Sequence, residues 1–259
     1  MPQALSDIMP DIRGLITEDD EPVDNFLSEK QQRLLTEPLY SSWAGPGEGR
    51  NFLAAANVGI FHLARNPAIV PDVFLSLDVD LSREWIEREQ KSYFLWEFGK
   101  PPEVVIEIVS NREGEEDGEK KKKYARLRIE YYIIYDPMHK VMAEPLTIYQ
   151  LHNFEYTKLP APNFPTIGLG LTLWEGDFEG HCETWLRWVD AQGDLILTGK
   201  ERAEREEARA AQEQARAAQE QARAARERKR AEEAERALRE AKEELARIEA
   251  LLREADSRG

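Results

Sequence analysis

The chain has 259 residues, 41% of them hydrophobic and 33% charged, with a formal net charge of −15. That length holds one sizeable domain plus an appendage, and the charged fraction is too high for a single globule. The acidity argues against a broad nucleic-acid-binding surface, because neutralising phosphates with Lys and Arg drives most non-specific affinity; it serves solubility equally well.

The excess charge has a location. Positions 200–259 carry 16 of the 35 basic and 16 of the 50 acidic residues, so the whole net charge belongs to positions 1–199. Cys182 is the one cysteine, which excludes an internal disulfide and suits a reducing compartment. His62, His139, His152 and His181 are scattered and offer no zinc spacing. No run of about 18 apolar residues is present to span a membrane. The N-terminus lacks a basic stretch followed by an apolar one. A cytoplasmic location is expected.

Residues 1–24 are polar and acidic and read as a flexible arm. From Asn25 to Trp43, apolar residues at Phe26, Leu27, Leu34 and Leu35 predict a helix that stops near Pro38. AGPGEGR (44–50) is a turn or loop. Val58 to Leu63 reads as a strand, followed by IVPDVFLSL (69–77) as a second, so an antiparallel hairpin is expected. Residues 83–102 begin helical and end in Tyr93, Phe94, Trp96 and Phe98, an aromatic cluster that suits core packing better than base stacking.

Glu103 to Ser110 is nearly continuous valine and isoleucine, the composition of a central strand buried on both faces. A charged loop follows, then a helix from Lys120 to Arg128 and an aromatic, β-branched strand from Tyr131 to Tyr135. LTIYQL (146–151) and FEYTKL (154–159), separated by His152 and Asn153, predict an edge hairpin. Residues 164–180 should give further short strands, and 183–199 a closing hairpin over the hydrophobic face of the sheet.

The tail differs in kind. ARAAQEQ occurs at 208–214 and 215–221, and ARAARER at 222–228. Ala203, Ala210, Ala217, Ala224, Ala231, Leu238, Leu245 and Leu252 recur at a spacing of seven, with Ala234, Ala241 and Ile248 as a second core position. Strong helix formers and i,i+4 charge pairs make this a coiled-coil segment, firm from Ala231 onward. Its alanine half buries little area. A homodimer is the expected product, against a solvated single helix.

The chemistry centres on two acids inside apolar strands. In PEVVIEIVS, Glu103, Val105, Glu107 and Val109 share one face of the strand. A carboxylate between Val105 and Val109 must be paired, protonated or metal-bound, because an isolated buried charge is very costly. Asp72, between Val70 and Val73, repeats the pattern on a strand that should be a neighbour. The bland alternative for each is an ion pair with a core lysine or arginine. Hard cations such as Mg²⁺ or Mn²⁺ take oxygen ligands and keep several waters, so two carboxylates meet that need. A nearby lysine would hold the attacking water or offset charge on a phosphate. Of the run Lys120–Lys123, Lys120 shares a helical face with Tyr124, whose burial would fix it.

These segments, VPDVFLSL, PPEVVIEIVSN and GEKKKKYARLRIEYYIIYDP, resemble the Uma-type restriction endonuclease family of the PD-(D/E)xK nuclease superfamily, over about residues 25–195. YFLWEFGKPPEVVIEIVS and GLGLTLWEGDFEG also resemble a branch of it with an Ala/Arg/Gln/Glu-rich helical tail. The resemblance implies an α/β, restriction-endonuclease-like core with a central mixed sheet at 25–199, and a long helix at 200–259. Asp72 matches the acid of the first half-motif and Glu107 that of the second. Val109 stands where the superfamily lysine would; in this family the lysine is on the following helix, matched by Lys120, with Tyr124 four residues on. Arg128 stands where the family has glycine, and Ala55 where relatives carry an acid. Glu103 is the best candidate for a third ligand. The implied function is metal-dependent hydrolysis of DNA. The alternative is an inactive nuclease-fold scaffold that oligomerises or docks partners through its coiled coil.

Overall fold

The computed structural model describes residues 25–64, 66–80, 91–110 and 116–256. The N-terminal arm (1–24) and the expected helix start at 83–90 lie outside the described residues. The chain divides into two compact units, the first ending at Lys200 and the second beginning at Glu201.

In the first unit, six strands form a mixed sheet: β1 (Phe52–Ala56), β3 (Val73–Leu77), β5 (Val104–Ile108), β6 (Tyr131–Tyr135), β7 (Leu146–His152) and β8 (Glu155–Lys158), in the spatial order β1-β3-β5-β6-β7-β8. β5 and β6 run parallel and the other neighbours antiparallel. β5 is central and buried at every position, as its Val/Ile run predicts.

The alternation of β5 divides two cores. Val104, Ile106 and Ile108 join Val73, Leu75, Tyr131 and Ile133 under helix α1 (Phe26–Ser41) and the strands β10 (Leu169–Phe178) and β11 (His181–Asp190). Val105 and Val109 join Phe74, Tyr132, Ile134 and Tyr124 on the opposite face. There the crossover between β5 and β6 supplies a cover, a turn (Glu116–Lys120) broken at Gly118 and leading into a helix (Lys121–Leu127). β2 (Ile60–Phe61) pairs in parallel with β4 (Tyr93–Phe94), and a short helix, α2 (Leu95–Phe98), follows. The Lys121–Leu127 helix is α3. Tyr93 and Phe94 are fully buried, so the aromatic cluster packs the core as expected.

Several sequence expectations shift. The hairpin partner of β3 is β1, from Phe52↔Leu77 to Ala56↔Val73, and the expected pairing of Val58–Leu63 with 69–77 survives as an antiparallel bridge from Ile60 to Ile69. Asn57 turns left-handed at φ 54° and ends β1, while the Ala-rich strand fits closely under α1, where the Tyr40 hydroxyl bonds both the N–H and the carbonyl of Ala54 at 2.9 Å. Helix α1 runs through Pro38 to Ser41. The proline removes one i→i−4 bond, and burial of Pro38 and Leu39 in the core holds the last turn. The segment 164–190 forms two ten-residue strands, paired from Leu169↔Asp190 to Phe178↔His181, with β9 (Asn163–Phe164) alongside. The expected 183–199 hairpin survives only as a bridge from Val189 to Leu195.

The β7–β8 turn is Asn153–Phe154, one residue beyond the predicted pair, with φ of 48° and 68°. Both positions of such a tight hairpin require positive φ. Phe154 is held there by the Arg128 guanidinium, 4.9 Å from its ring centroid. Arg128 itself caps α3 at φ 62°, ψ 34°, a left-handed position that glycine takes without penalty. Arg128→Gly is expected to raise the unfolding free energy by about 0.5–1 kcal/mol, because relief of a strain of about 1–2 kcal/mol exceeds a cation–π contact of about 0.5–1 kcal/mol. Urea midpoints check it, and a lowered midpoint would make the ring contact the larger effect.

At the end of β6, Asp136 is fully buried and accepts the N–H groups of Lys140, Val141 and Met142 at 2.9, 2.6 and 2.8 Å. Burial alone would raise its pKa, but the three backbone bonds hold it below the usual carboxylate range. The 137–142 loop is thereby tied to the sheet.

The second unit is made by helix α4, Gly199–Asp256, whose first two residues, Gly199 and Lys200, belong to the first unit. Arg209–Glu213, Arg216–Glu220, Arg223–Glu227 and Arg236–Glu240 pair at 3.1–3.3 Å, each contributing about 0.3–0.5 kcal/mol. Leu238, Leu245 and Ile248 are exposed. No helix among the described residues is long and apolar enough to cross a membrane.

Candidate active site

Pairing Val73 with Ile106 puts Asp72, just before β3, opposite Glu107 on β5. The two acids read from the sequence therefore meet at one end of the sheet, on the same face. Ile108 donates its N–H to Asp72 Oδ2 at 2.7 Å, and Gln32 Nε2 donates to Asp72 Oδ1 at 2.9 Å. Gln32 is in turn held by Asn57, whose Nδ2 donates to Gln32 Oε1 at 2.9 Å.

Glu107 is 1% exposed. Lys120 Nζ donates to its Oε2 at 2.9 Å and the Tyr124 hydroxyl to its Oε1 at 2.6 Å. Burial pushes the carboxyl up to about 8; the charge of Asp72 adds to that rise, while Lys120 and the Tyr124 hydroxyl oppose it. Tyr124 is itself pushed well above its ordinary value, by burial first and then by Glu107.

Lys120 leads into α3 after a turn broken at Gly118 (φ −118°, ψ −111°). Its i,i+4 spacing from Tyr124 puts both side chains on one helical face, against a single carboxylate. The rest of the lysine run goes elsewhere. Lys121 pairs with Asp117 at 3.0 Å and lies over the Tyr149 ring, and Lys122 pairs with Glu119 at 2.7 Å.

Glu103 does not join them. It precedes β5, accepts the Leu77 N–H at 2.8 Å and forms an ion pair with Lys100. Four residues from Glu107, it lies about 13 Å away along the strand. Ala55, half-buried in β1, brings no carboxylate.

Gln32 and Asn57 were not found by reading the sequence. Gln32 is 4% exposed on a helix whose buried face carries Ser28 and Gln31 as well as Leu34, Leu35, Pro38 and Leu39. A polar residue on the buried face of α1 is the available signal, but it names no partner.

Among the described residues no group of three or more His, Cys, Asp or Glu is arranged to hold a metal. The pair is an oxygen-only donor set. Its electrostatics favour a cation, since one member is a fully buried carboxyl whose ionisation is opposed by both burial and its neighbour. A hard divalent ion that keeps most of its waters fits one or two carboxylates of this kind.

A protein-family model, Uma2, described as "Putative restriction endonuclease", matches residues 12–175, a span that contains Asp72, Glu107, Lys120 and Tyr124. No curated protein matches the chain.

Proposed function

Because the chain belongs to the Uma2 restriction endonuclease family, within the PD-(D/E)xK nuclease superfamily, we propose that it hydrolyses DNA phosphodiester bonds with Mg²⁺ or Mn²⁺ held by Asp72 and Glu107. The observation that carries this reading is the buried Glu107 carboxylate, opposite Asp72 and in contact with Lys120.

A bound divalent ion would supply polarisation of the scissile phosphate and a water of lowered pKa. The protein supplies the rest. The Ile108 N–H and Gln32 fix both oxygens of Asp72, so its carboxylate is oriented before substrate arrives. Tyr124 orients Glu107 from within the core. The Lys120 side chain is 32% exposed while Glu107 is 1% exposed, so the pair meets solvent through the lysine. There it orients the attacking water or offsets charge on the pentacovalent phosphorus, stabilisation of a kind that depends on fixed position. This assigns Asp72, Glu107 and Lys120 as the catalytic group, with Tyr124, Gln32 and Asn57 as positioning residues. The leucine and isoleucine seam of α4 would pair two subunits, and with them the two sites that cutting both strands requires. A cytoplasmic enzyme is in keeping with the single cysteine.

The test is calorimetric titration with Mn²⁺, wild type against Asp72→Ala and Glu107→Ala, followed by plasmid nicking and sedimentation equilibrium on the same samples. The expected result is a sedimenting dimer with metal binding and nicking lost together in both variants. Absence of metal binding in the wild type would overturn the reading.

A further inference from the structure

The crossover that delivers Lys120 is tied to the sheet by a second set of side chains, outside the catalytic group. Tyr149 of β7 is buried in the same core as Val105 and Val109, the neighbours of Glu107 on its face of β5. Its hydroxyl donates to Asp117 Oδ1 at 3.1 Å, and the Lys121 ammonium lies 3.5 Å from its ring centroid. Lys121 also pairs with that same Asp117 oxygen, at 3.0 Å. An acid before the break at Gly118, a lysine after it and a tyrosine fixed in the sheet therefore close on one another.

Local structure leaves the start of α3 in need of such a brace. Gly118 interrupts the helical backbone between Asp117 and Lys120, so the turn lacks the rigidity of a continuous helix. Lys120 is the N-cap residue of α3 and makes no side-chain cap bond, and the first turn holds no acidic residue. Lysines at 120–123 stand at the end of the helix where the macrodipole is positive. At seven residues, α3 is also too short to persist on its own hydrogen bonds. Burial of Tyr124, Ala125 and Leu127 holds the rest of the helix. The end that carries Lys120 is thus the end that local interactions hold least.

We propose that Asp117, Lys121 and Tyr149 are positioning residues that fix Lys120 for the reaction. They pin the residue that follows Lys120 to β7, so the lysine meets Glu107 and the substrate from a fixed backbone. The Tyr149 ring also reaches Tyr124 through Tyr132, with centroids 6.2 and 5.2 Å apart. Both partners of Glu107 are thereby referred to one strand. A displacement of about 1 Å at such a group costs about a hundredfold in rate. This rests on the nuclease reading and extends it to side chains that touch neither metal nor substrate.

Full-length wild type, Lys121→Ala, Lys121→Arg, Tyr149→Phe and Lys122→Ala would be compared, and Lys121→Ala would be repeated in a Lys120→Ala background. Mn²⁺-dependent plasmid cleavage gives kcat and KM, calorimetry gives Mn²⁺ affinity, and hydrogen exchange reads the protection of residues 119–124. Lys121→Ala should lower kcat about ten- to a hundredfold, with KM and Mn²⁺ affinity unchanged and exchange at 119–124 faster. Lys121→Arg keeps both the ion pair and the stacking on the ring, so it should restore most of the rate. Tyr149→Phe loses only the bond to Asp117 and should act in the same direction more weakly. Lys122, which pairs with Glu119 on the exposed side, carries the same charge away from the brace, and Lys122→Ala should leave the rate unchanged. With Lys120 already replaced, Lys121→Ala should cost nothing further, because no lysine is left to position. An equal loss in both backgrounds would reduce the brace to a part of the fold and overturn the proposal, as would a rate indifferent to Lys121→Ala. No cleavage by the wild type would overturn the nuclease reading and this proposal with it.

Discussion

Glu107→Gln is expected to abolish Mn²⁺ binding and reduce cleavage by at least a thousandfold, while making the metal-free protein more stable at pH 8. Both effects have one cause. In the folded chain the carboxyl is pushed to about 8, against an ordinary value of 4.5. Below pH 4.5 it is protonated whether the chain is folded or not, and its contribution is complete. Between 4.5 and 8 the unfolded chain gives up the proton and the folded chain keeps it. Stability is therefore lost as pH rises through that window, and above about 8 the penalty is constant. Glutamine, which never ionises, removes the slope and gives a gain on the order of 1–2 kcal/mol at pH 8, part of the benefit being offset by its imperfect fit to the Lys120 donor. Urea denaturation of both proteins without metal, at pH 5 and pH 8, measures the difference directly. Metal binding retained in Glu107→Gln, or a variant less stable than wild type at pH 8, would remove Glu107 from the metal site and from the electrostatics described above. An acid retained at a cost in stability is expected of a site whose ligand provides the missing charge.

Lys120→Ala is expected to separate binding from chemistry. Metal affinity should hold or rise, because a cation competing for Glu107 Oε2 is removed. Cleavage should fall by about a hundred- to a thousandfold in kcat, the usual cost of removing one positioned group from developing charge. Lys120→Arg keeps the charge but spreads it over a planar fork, so it should recover only part of the loss. Loss of stability in Lys120→Ala should be larger at pH 9 than at pH 6, because at the lower pH Glu107 takes up a proton and needs no partner. The discriminating measurement is single-turnover cleavage at saturating Mn²⁺. Unchanged rates would make the lysine a structural partner of Glu107, and the migrated-lysine reading would fail.

The legible part of the site was the part that broke a local pattern. Glu107 stands in a run of valine and isoleucine, and Asp72 at the head of the largely apolar strand β3; burial of either without a partner is costly enough to mark it. Lys120 and Tyr124 were readable together because helical spacing puts i and i+4 on one face. Gln32 and Asn57 break no rule strongly enough. A glutamine on a helix and an asparagine at a strand end are ordinary residues, and their value comes from partners 40 and 25 positions away in the chain, Asp72 for Gln32 and Gln32 for Asn57. Glu103 shows the opposite error. Alternation put it on the correct face of β5, but strand rise takes it about 13 Å from Glu107, and Lys100 pairs with it there.

The sequence by itself determined the central buried strand, the face on which Glu107 lies, the lysine helix behind it and the heptad tail, because periodicities of two, 3.6 and seven are properties of a few consecutive residues. Tertiary structure decided which strand pairs with β3, which residue turns each hairpin, and which polar groups hold Asp72. It also set Tyr149 of β7 against Asp117 and Lys121. Those outcomes depend on register between distant segments, where one residue of slip turns every side chain to the other face, and on left-handed backbone at Arg128 and Phe154 that local propensity disfavours and packing enforces.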